Sequence, residues 1–480
     1  MEQQLSDIEP RKVFEFFSVL NRIPRGSGNE KAVSDYLVEF ASQRGLLAYQ
    51  DDYNNVTIVK YATAGMEDKD TIILQAHLDM VCVADDGCRK DFTKDPIDAY
   101  IDGDYVKARG TSLGADDGIG IAMILAVLDS TDIEHPMIEA VFTAHEESGL
   151  AGASVYDVSH LTGKRFINLD SEEENHIVTG CAGGSICDVS LKCKNQKIEG
   201  NIYEISIGNL TGGHSGSEIG NGSANANVLM GLLLDQLRNS VEINLGTVQG
   251  GTKHNSICES ASATVVVRKK HSKALEKCVK AFAESARDEY QKTDPDLTVK
   301  CKDKGKGKLE VMSTKDMTKF IALLNLLPNG VFKMSQTAPM VETSSNIAIV
   351  AARPKSFNIC VSLRSNKEAS LGWITSIIRS LSEAYNVQFN CHDTYPAWEC
   401  DKVSDYARSA QRLYSDMFGR DIGIISIHAG LECGLFAQKI KDLDAISIGP
   451  DIHGAHTPAE RLSISSTQRE WKYLLELLKL

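Results

Sequence analysis

Four short apolar runs in this 480-residue chain are each followed closely by a histidine or an acid. The runs are residues 71–74, 138–142, 165–169 and 444–448. The side chains that follow them lie in His77-Leu-Asp79, His145-Glu-Glu147, Asp170-Ser-Glu-Glu-Glu174 and Asp451-Ile-His453-Gly-Ala-His456. Such runs are typical of strands buried in a parallel sheet, and ligand-binding groups collect beyond the carboxyl ends of these strands. The pattern therefore predicts one sheet edge that gathers acids and imidazoles from distant parts of the chain.

The alternation of strand-like and helix-like segments around these runs predicts the fold class. Residues 31–44 carry an apolar stripe at helical spacing, and residues 119–128 are typical of a buried helix. We predict an α/β catalytic domain with a mostly parallel central sheet flanked by helices. Its two segments are expected at residues 1–184 and 393–480.

The middle of the chain has a different pattern. From about residue 185 it follows the order strand, helix, two strands, helix, strand, and this order repeats from residues 309–312. Residues 185–392 are therefore predicted to be an inserted α+β lid domain made of two split β-α-β-β-α-β units. The lysine-rich residues 301–308 are expected to form a solvated loop near the joint between these units.

Composition excludes several classes of protein. A net charge of -14 argues against binding to nucleic acid or to an anionic membrane surface. No apolar run reaches the roughly 20 residues that a membrane span requires, and the first residues lack the layout of a secretory signal. The 12 cysteines form no C-x-x-C pair, which is typical of free thiols in a reducing cytosol. We expect a cytoplasmic protein.

Asp116 opens the predicted helix beside the same sheet edge and adds a fifth segment to the acids and imidazoles gathered there. Each such residue alone has an ordinary explanation, as a loop histidine, a helix N-cap or a surface acid. Five of them at one edge predict a metal site. One catalytic zinc takes three protein ligands, so five ligands with one shared carboxylate supply two adjacent metal ions. Zinc is the expected metal, with manganese or cobalt as alternatives.

A second interpretation of residues 113–120 is a nucleotide-binding turn. Gly114, Gly118 and Gly120 match the glycine spacing of short-chain dehydrogenases. However, Asp116 and Asp117 would face the pyrophosphate there, and a negative charge is unfavourable at a phosphate-binding helix start. No tyrosine begins the Tyr-x-x-x-Lys pair that such enzymes use, so we reject this interpretation.

The motifs together resemble a known family, the di-zinc peptidases that include carboxypeptidase G, aminoacylase and carnosinase. The resemblance runs nearly end to end and is strongest to the bacterial cytosolic dipeptidases of that family. It rests on His77-Leu-Asp79, Gly114-Ala-Asp-Asp-Gly118, His145-Glu-Glu147, Asp170-Ser-Glu-Glu-Glu-Asn175 and Gly449-Pro-Asp-Ile-His-Gly-Ala-His456. Further similarity lies in Cys181-Ala-Gly-Gly184, Gly212-Gly-His-Ser-Gly216, Pro328-Asn-Gly-Val331, Val341-Glu-Thr343 and Ile427-His-Ala-Gly-Leu-Glu432.

The resemblance implies a metal-ligand set. Asp116 would bridge both ions, His77 and Asp170 would complete one site, and Glu147 and His456 would complete the other. His453 competes with His456 for the last place, and the family pattern favours the histidine directly before Thr457-Pro458.

The resemblance also implies how the residues beside the ligands act. Glu146 would be the general base that takes a proton from the attacking water, and Asp79 would hydrogen-bond the second nitrogen of His77. The Asp116–Asp117 peptide is commonly cis in this family, and Asp117 stands where the bacterial dipeptidases often have Asn. His145 is expected either to contact the residues that hold the metals or to play a purely structural role.

In the lid, His214 would stabilise the tetrahedral oxyanion. Asn255 and Arg364 would bind the substrate, with Arg364 holding its C-terminal carboxylate through a planar fork. Glu432 would accept the substrate α-ammonium. A carboxylate site and an ammonium site together would select dipeptides by length.

The expected activity is therefore metal-dependent hydrolysis of Xaa-Xaa dipeptides, including Xaa-His. Two alternatives remain, an N-acyl-amino-acid deacylase with the same metals and a non-catalytic metal-binding protein. Retention of Glu146, which coordination does not need, argues against the second alternative. The sequence leaves open whether the chain forms a homodimer and whether His214 acts within its own chain.

Overall fold

The computed structural model describes residues 5–336, 338–400 and 402–480. In chain order the helices are α1 (Arg11–Leu20), α2 (Lys31–Gln43), α3 (Ala115–Asp129), α4 (Ala151–Val155), α5 (Ala226–Ser240), α6 (Ser272–Glu289), α7 (Thr314–Leu326), α8 (Glu368–Ala384), α9 (Asp405–Phe418), α10 (Cys433–Lys439) and α11 (Ile464–Leu477). The strands are β1 (Leu47–Gln50), β2 (Val56–Lys60), β3 (Ile72–His77), β4 (Ala99–Asp102), β5 (Tyr105–Ala108), β6 (Ile138–Thr143), β7 (Arg165–Asn168), β8 (His176–Cys181), β9 (Gly183–Lys192), β10 (Asn195–Gly208), β11 (Ile243–Gly250), β12 (Ala261–Val267), β13 (Thr298–Met312), β14 (Gly330–Met334), β15 (Val341–Arg353), β16 (Ser356–Ser365), β17 (Gln388–Tyr395), β18 (Gly423–Ile427), β19 (Asp444–Ser447), β20 (Ile452–His453) and β21 (Arg461–Ser463).

The chain divides into two compact units. The first unit contains the described residues up to Cys181 together with Trp398–Ser426 and Leu431–Leu480. The second contains Ala182–Ala397 and Ile427–Gly430. Each unit has its own apolar core of buried side chains. Within the part of the chain that is described, no helix is long and apolar enough to cross a membrane.

The first unit is built on an eight-stranded sheet with the order β1-β2-β6-β3-β7-β19-β8-β18. Its four central strands, β6, β3, β7 and β19, are mutually parallel, whereas β1, β2 and β8 join antiparallel. The α/β prediction is confirmed, and the sheet is parallel at its centre and mixed at its edges. A smaller four-stranded sheet has the order β20-β21-β5-β4.

The central strands are almost wholly buried, which explains their apolar sequences. Every residue of β3 and of β6 is buried, and α3 is buried along nearly its whole length. An α3 sequence that is apolar on all sides suits a helix covered on every face. Because β6, β3 and β7 are parallel neighbours, their carboxyl ends lie at one edge of the sheet.

The second unit contains a nine-stranded sheet with the order β13-β10-β12-β11-β15-β16-β9-β17, and β14 pairs with β15. One half is a β-α-β-β-α-β unit of β10, α5, β11, β12, α6 and β13. Across the sheet its strands lie in the order β13, β10, β12, β11, so the fourth strand of the unit lies beside the first, followed by the third and the second. The other half is a second unit of β9, α7, β15, β16, α8 and β17. Its strands lie in the mirrored order β15, β16, β9, β17, that is, second, third, first and fourth. The two halves meet where β11 pairs antiparallel with β15. The predicted duplication is therefore present.

Two details of the predicted second unit are wrong. Residues 309–312 are the end of the long strand β13 and pair with the start of β10, so they do not open the second repeat. The repeat's first strand is β9, and the whole first repeat is inserted after it. Residues 301–308 form part of β13 rather than a loop. Ion pairs to β10, such as Lys306 with Glu199 at 2.8 Å, allow this lysine-rich segment to pair as a strand.

Candidate active site

The described residues contain three groups of histidine and carboxylate side chains whose ligand atoms lie within 4.8 Å of one another. These groups are His77, Asp116 and Asp170; Asp116, Glu147 and His456; and His77, Glu146 and Glu147. The five predicted ligands make up the first two groups, and Asp116 belongs to both. All of them come from the first unit.

Asp116 lies between two histidines. Its Oδ1 is 2.9 Å from Nε2 of His77, and its Oδ2 is 3.0 Å from Nε2 of His456. The residue stands in the first turn of α3 with non-helical backbone angles, and its peptide bond to Asp117 is cis. One carboxylate thus offers a separate oxygen to each of two neighbouring histidines.

The remaining ligand atoms complete one group around each histidine. Asp170 Oδ1, just beyond β7, lies 3.3 Å from Nε2 of His77. Glu147 Oε1, just beyond β6, lies 2.9 Å from Nε2 of His456. The strand ends therefore bring His77, Glu147 and Asp170 together as the apolar runs predicted, and Asp116 joins them from the start of α3.

The groups are electrostatically crowded. Burial lowers the pKa of His456, but hydrogen bonding to Asp116 and Glu147 outweighs it and raises the pKa to about 11. Burial lowers the pKa of His77 as well, and the charge of Asp170 with hydrogen bonds to its neighbours brings the net pKa well above its usual value. Burial and the charge of Asp116 raise the pKa of Glu147 to about 7. So many acids in one buried place demand compensating positive charge.

Asp79 connects His77 to the predicted base. Its Oδ1 is 3.6 Å from Nδ1 of His77, which is longer than a hydrogen bond, and Nδ1 has no hydrogen-bond partner among the described residues. The same carboxylate accepts hydrogen bonds from the backbone N–H of Glu146 at 2.8 Å and of Glu147 at 3.2 Å. Asp79 is fully buried, so it fixes the loop that carries both glutamates.

Glu146 is half-buried beside these ligands. Burial raises its pKa well above the usual value, and the nearby charges of Glu147 and Asp170 raise it further, while His77 lowers it. Glu146 belongs to a group with His77 and Glu147, so its carboxylate lies within reach of the same space as the ligands.

The other histidines in the motifs lie elsewhere. His453 is exposed in β20, with its ring 6.0 Å from that of Tyr105, and it belongs to none of the three ligand groups. His145 has its Nε2 3.5 Å from Glu30 Oε2, and its ring lies 5.1 Å from that of Tyr53. The structure thus brings His456 to the ligand group, whereas His145 contacts a buried acid outside it.

Two acids near the ligands are buried more deeply than the sequence indicated. Asp117 Oδ2 accepts the backbone N–H of His77 at 3.3 Å. Glu432 has no exposed surface, and its Oε2 accepts hydrogen bonds from Gln75 at 2.6 Å and from Thr143 at 2.5 Å. In this structure Glu432 offers no surface to a substrate ammonium, so that contact remains only a prediction.

The second unit brings His214 and Arg364 together. Nη2 of Arg364 lies 3.4 Å from Nε2 of His214, and its Nη1 donates to the hydroxyl of Tyr395 at 3.1 Å. Arg364 is only 9% exposed, and among the described residues its Nε has no hydrogen-bond partner and no carboxylate forms an ion pair with it. A buried cation of this kind calls for an anionic ligand. Asn255 is half-buried in the neighbouring loop, where its carbonyl accepts the N–H of Ser215 at 2.8 Å.

Sequence reasoning missed Tyr395 and His428. Tyr395 packs against Gly184 and Gly430, because a Cβ at either glycine would lie within 3.0 Å of its ring. His428 is buried and bonded to Ser344 at 2.7 Å, and burial lowers its pKa to about 4. The motifs at residues 181–184 and 427–432 could have indicated Tyr395, because their glycines leave room for a large side chain to pack against them.

Comparisons with known proteins agree on one family. The family described as "Peptidase family M20/M25/M40" matches residues 73–480. The chain is 36% identical over 479 residues to the cytosol non-specific dipeptidase of Escherichia coli (strain K12), covering 99% of each protein. It also resembles the crystal structure of aminoacylhistidine dipeptidase from Vibrio alginolyticus, with 34% identity, a TM-score of 0.84, and coverage of 99% of this chain and 98% of that one. An M20 family metallo-carboxypeptidase from Sulfolobus solfataricus shares the fold, with 14% identity, a TM-score of 0.56, and coverage of 98% and 99%.

Proposed function

This chain belongs to the peptidase family M20/M25/M40 and is a peptidase, and we propose that it hydrolyses dipeptides, including Xaa-His dipeptides, with two divalent metal ions. The observation that carries the proposal is Asp116, whose two oxygens face different histidines at 2.9 and 3.0 Å. The dipeptidase names of two full-length relatives support the substrate class.

The residues present fit two metal ions. Two imidazoles and three carboxylates are the nitrogen and oxygen donors that zinc accepts, with manganese and cobalt as alternatives. Glu147 Oε1 is buried and lies 2.9 Å from Nε2 of His456, as expected of two donors that would share one cation. His77, Asp116 and Asp170 would hold one ion, and Asp116, Glu147 and His456 the other. When bound, such ions supply Lewis acidity and make a water molecule more acidic.

Glu146 is proposed to move the protons of the reaction. Its carboxylate would take a proton from the attacking water and later deliver it to the nitrogen of the leaving amine. Its neighbour Glu147 is committed to the ligand group, and Asp79 holds the backbone N–H of both residues. One loop can therefore present a ligand and a base side by side.

Arg364 is proposed to bind the C-terminal carboxylate of the substrate. Its guanidinium is buried, and no described carboxylate neutralises it. Tyr395 and His214 contact one Nη each, which orients the fork. We propose that His214 stabilises the oxyanion and that Asn255 contributes to substrate binding. A C-terminal carboxylate bound at a fixed place would favour short peptides.

The test is a substrate panel on metal-reconstituted protein. Elemental analysis should find two ions per chain, and Xaa-Xaa and Xaa-His dipeptides should be cleaved faster than N-acyl amino acids. Preference for N-acyl amino acids would instead identify a deacylase. Full metal loading without cleavage of either class would indicate a non-catalytic metal-binding protein. A homodimer is also proposed, and light scattering tests it by measuring the mass of the protein in solution.

We also propose a cytoplasmic location. The support is the name of the Escherichia coli relative, a cytosol non-specific dipeptidase, and the sparse cysteines of this chain, none of which forms a disulfide in the described residues. Fractionation of cells that express the tagged full-length chain tests it, and recovery in a membrane or secreted fraction would contradict it.

A further inference from the structure

Residues 24–30, which connect α1 to α2, contact three of the loops around the ligand groups, although the motif analysis gave them no role. These loops carry His77 and Asp79, Asp116, and the pair Glu146 and Glu147. The contacts come from polar side chains, which we call the brace: Arg25, Glu30 and, from the loop after His456, Glu460, which are all buried, and Ser27, which is exposed.

Arg25 joins the His77 loop to the Asp116 loop. It is 1% exposed, and its Nη1 donates to the carbonyls of Leu78 at 3.0 Å and Asp79 at 2.9 Å. Its Nη2 donates to the carbonyl of Gly114, two residues before Asp116. One planar guanidinium therefore sets the distance between two backbone segments that each carry a predicted ligand.

The glycines of the Asp116 motif make room for this guanidinium. A Cβ on Gly114 would lie 2.8 Å from Nη2 of Arg25 and 2.7 Å from Sδ of Met80, and a Cβ on Gly118 would also collide with Nη2. Gly114 in addition has a φ of +71°, which disfavours other residues. The spacing of these two glycines is thus explained by Arg25 packing between them.

Glu460 holds the other side of the same loop. Its Oε2 accepts the backbone N–H groups of Leu113 at 2.6 Å and Gly114 at 2.9 Å, and its Oε1 accepts that of Ala115 at 2.7 Å. It is 3% exposed and lies four residues after His456. The carboxylate therefore ties the loop of one predicted ligand, His456, to the loop of the shared ligand, Asp116.

Ser27 and Glu30 extend these contacts to the loop of the predicted base. Ser27 Oγ donates to Asp79 Oδ2 at 2.7 Å, and Asp79 accepts the backbone N–H groups of Glu146 and Glu147. Glu30 Oε1 accepts the backbone N–H of His145 at 3.3 Å. Each of the three loops thus forms at least one hydrogen bond with residues 24–30.

We propose that Arg25, Ser27 and Glu460 are positioning residues that set the separation of the two metal sites by fixing the loops of His77, Asp116 and His456. The inference rests on the proposed two-metal centre. Mutation of a group that orients a metal ligand typically lowers metal affinity or activity by about 10–100-fold. Arg25 has a specific requirement for a planar fork, because a lysine ammonium cannot reproduce parallel donation to two backbone segments.

The test compares Arg25→Lys with Arg22→Lys, a matched change at an exposed position in the same part of the chain. Each purified protein is dialysed against defined free Co²⁺, bound metal is counted by elemental analysis, and the visible Co²⁺ spectrum is recorded. For Arg25→Lys we expect at least one ion to bind roughly 10–100-fold more weakly, with an altered spectrum and a lower kcat at nearly constant KM. Arg22→Lys should match the wild type.

An Arg25→Lys protein that binds two ions with wild-type affinity and an unchanged spectrum would overturn the inference. If this variant fails to fold, Ser27→Ala decides, with Ser27→Thr as the conservative variant that retains the hydroxyl. We expect Ser27→Ala to weaken Co²⁺ binding and Ser27→Thr to restore it, whereas equal binding by both would refute the brace. A wild-type protein that binds fewer than two ions would overturn the two-metal centre itself and, with it, this inference.

Discussion

Replacing Arg364 with alanine tests how the chain recognises a substrate. The side chain is buried in the second unit, and its contacts to Tyr395 and His214 use one Nη each. A guanidinium carries five N–H donors, so about three remain, and the Nε donor is one of them. They are sufficient for a bidentate pair with a carboxylate.

The expected magnitude follows from those donors. A hydrogen bond to a charged group contributes about 1.5–3 kcal/mol, so two such bonds contribute roughly 3–6 kcal/mol. At about 1.4 kcal/mol per tenfold, Arg364→Ala should lower kcat/KM for a dipeptide roughly 10²–10⁴-fold. Arg364→Lys keeps the charge but loses the fork, so its loss should be about 10–100-fold.

The assay measures kcat/KM for a dipeptide and for the same dipeptide with a C-terminal amide. The wild type should prefer the free carboxylate strongly, and Arg364→Ala should lose most of that preference because the amide never used the fork. Arg353→Ala, at an exposed arginine on the same sheet, is the control and should behave as the wild type. If Arg364→Ala lowers kcat/KM for both substrates by the same factor, Arg364 does not bind the C-terminal carboxylate and the reasoning is refuted.

Three further changes test the first unit. Glu146→Gln should keep both metal ions and lose roughly 10²–10⁴-fold in turnover, and hydrolysis at the wild-type rate would remove it as the base. Asp116→Ala should lose both ions by elemental analysis, and two ions still bound would exclude a shared ligand. Burial raises the pKa of Glu174, but hydrogen bonds from Arg469 and Arg420 bring it below its ordinary value. Its stabilisation is present at neutral pH and lost as pH falls through that lowered pKa. Glu174→Gln should therefore cost about 1.5–3 kcal/mol in free energy of unfolding at pH 7 and flatten the acid limb of stability against pH, and an unchanged limb would contradict this.

The clustering of the proposed ligands could be predicted from the sequence because it depends on the order of residues along single strands. His77, Glu147 and Asp170 follow apolar strands directly, and parallel neighbouring strands end at the same edge. His456 lies eight residues beyond the apolar run at residues 444–448, with His453 in between, and its choice over His453 required a family pattern. The structure then supplied what the order of residues cannot contain, namely that Asp116 presents a different oxygen to each of His77 and His456.

The errors in the second unit have a common physical cause. Residues 301–308 read as a loop because charge and glycine disfavour strands when judged alone. Their pairing with β10 depends on acids such as Glu199, which lie about a hundred positions earlier in the chain. The same limit applies to β9, whose place beside β16 depends on residues 356–365. Strand partners that are distant in sequence override local propensity, and no window of neighbouring residues records them.

The glycine-rich segment around Asp116 shows how one local pattern permits two chemistries. Its backbone N–H groups at the start of α3 point toward an anion, which is the property that suits similar turns to phosphate. Here Glu460 supplies that anion from within the chain and accepts the N–H groups of Leu113, Gly114 and Ala115. Arg25 fills the space left by the glycines. Because the chain's own carboxylate satisfies these donors, a phosphate would have to displace a buried, hydrogen-bonded acid, and the loop is left to hold Asp116 between His77 and His456.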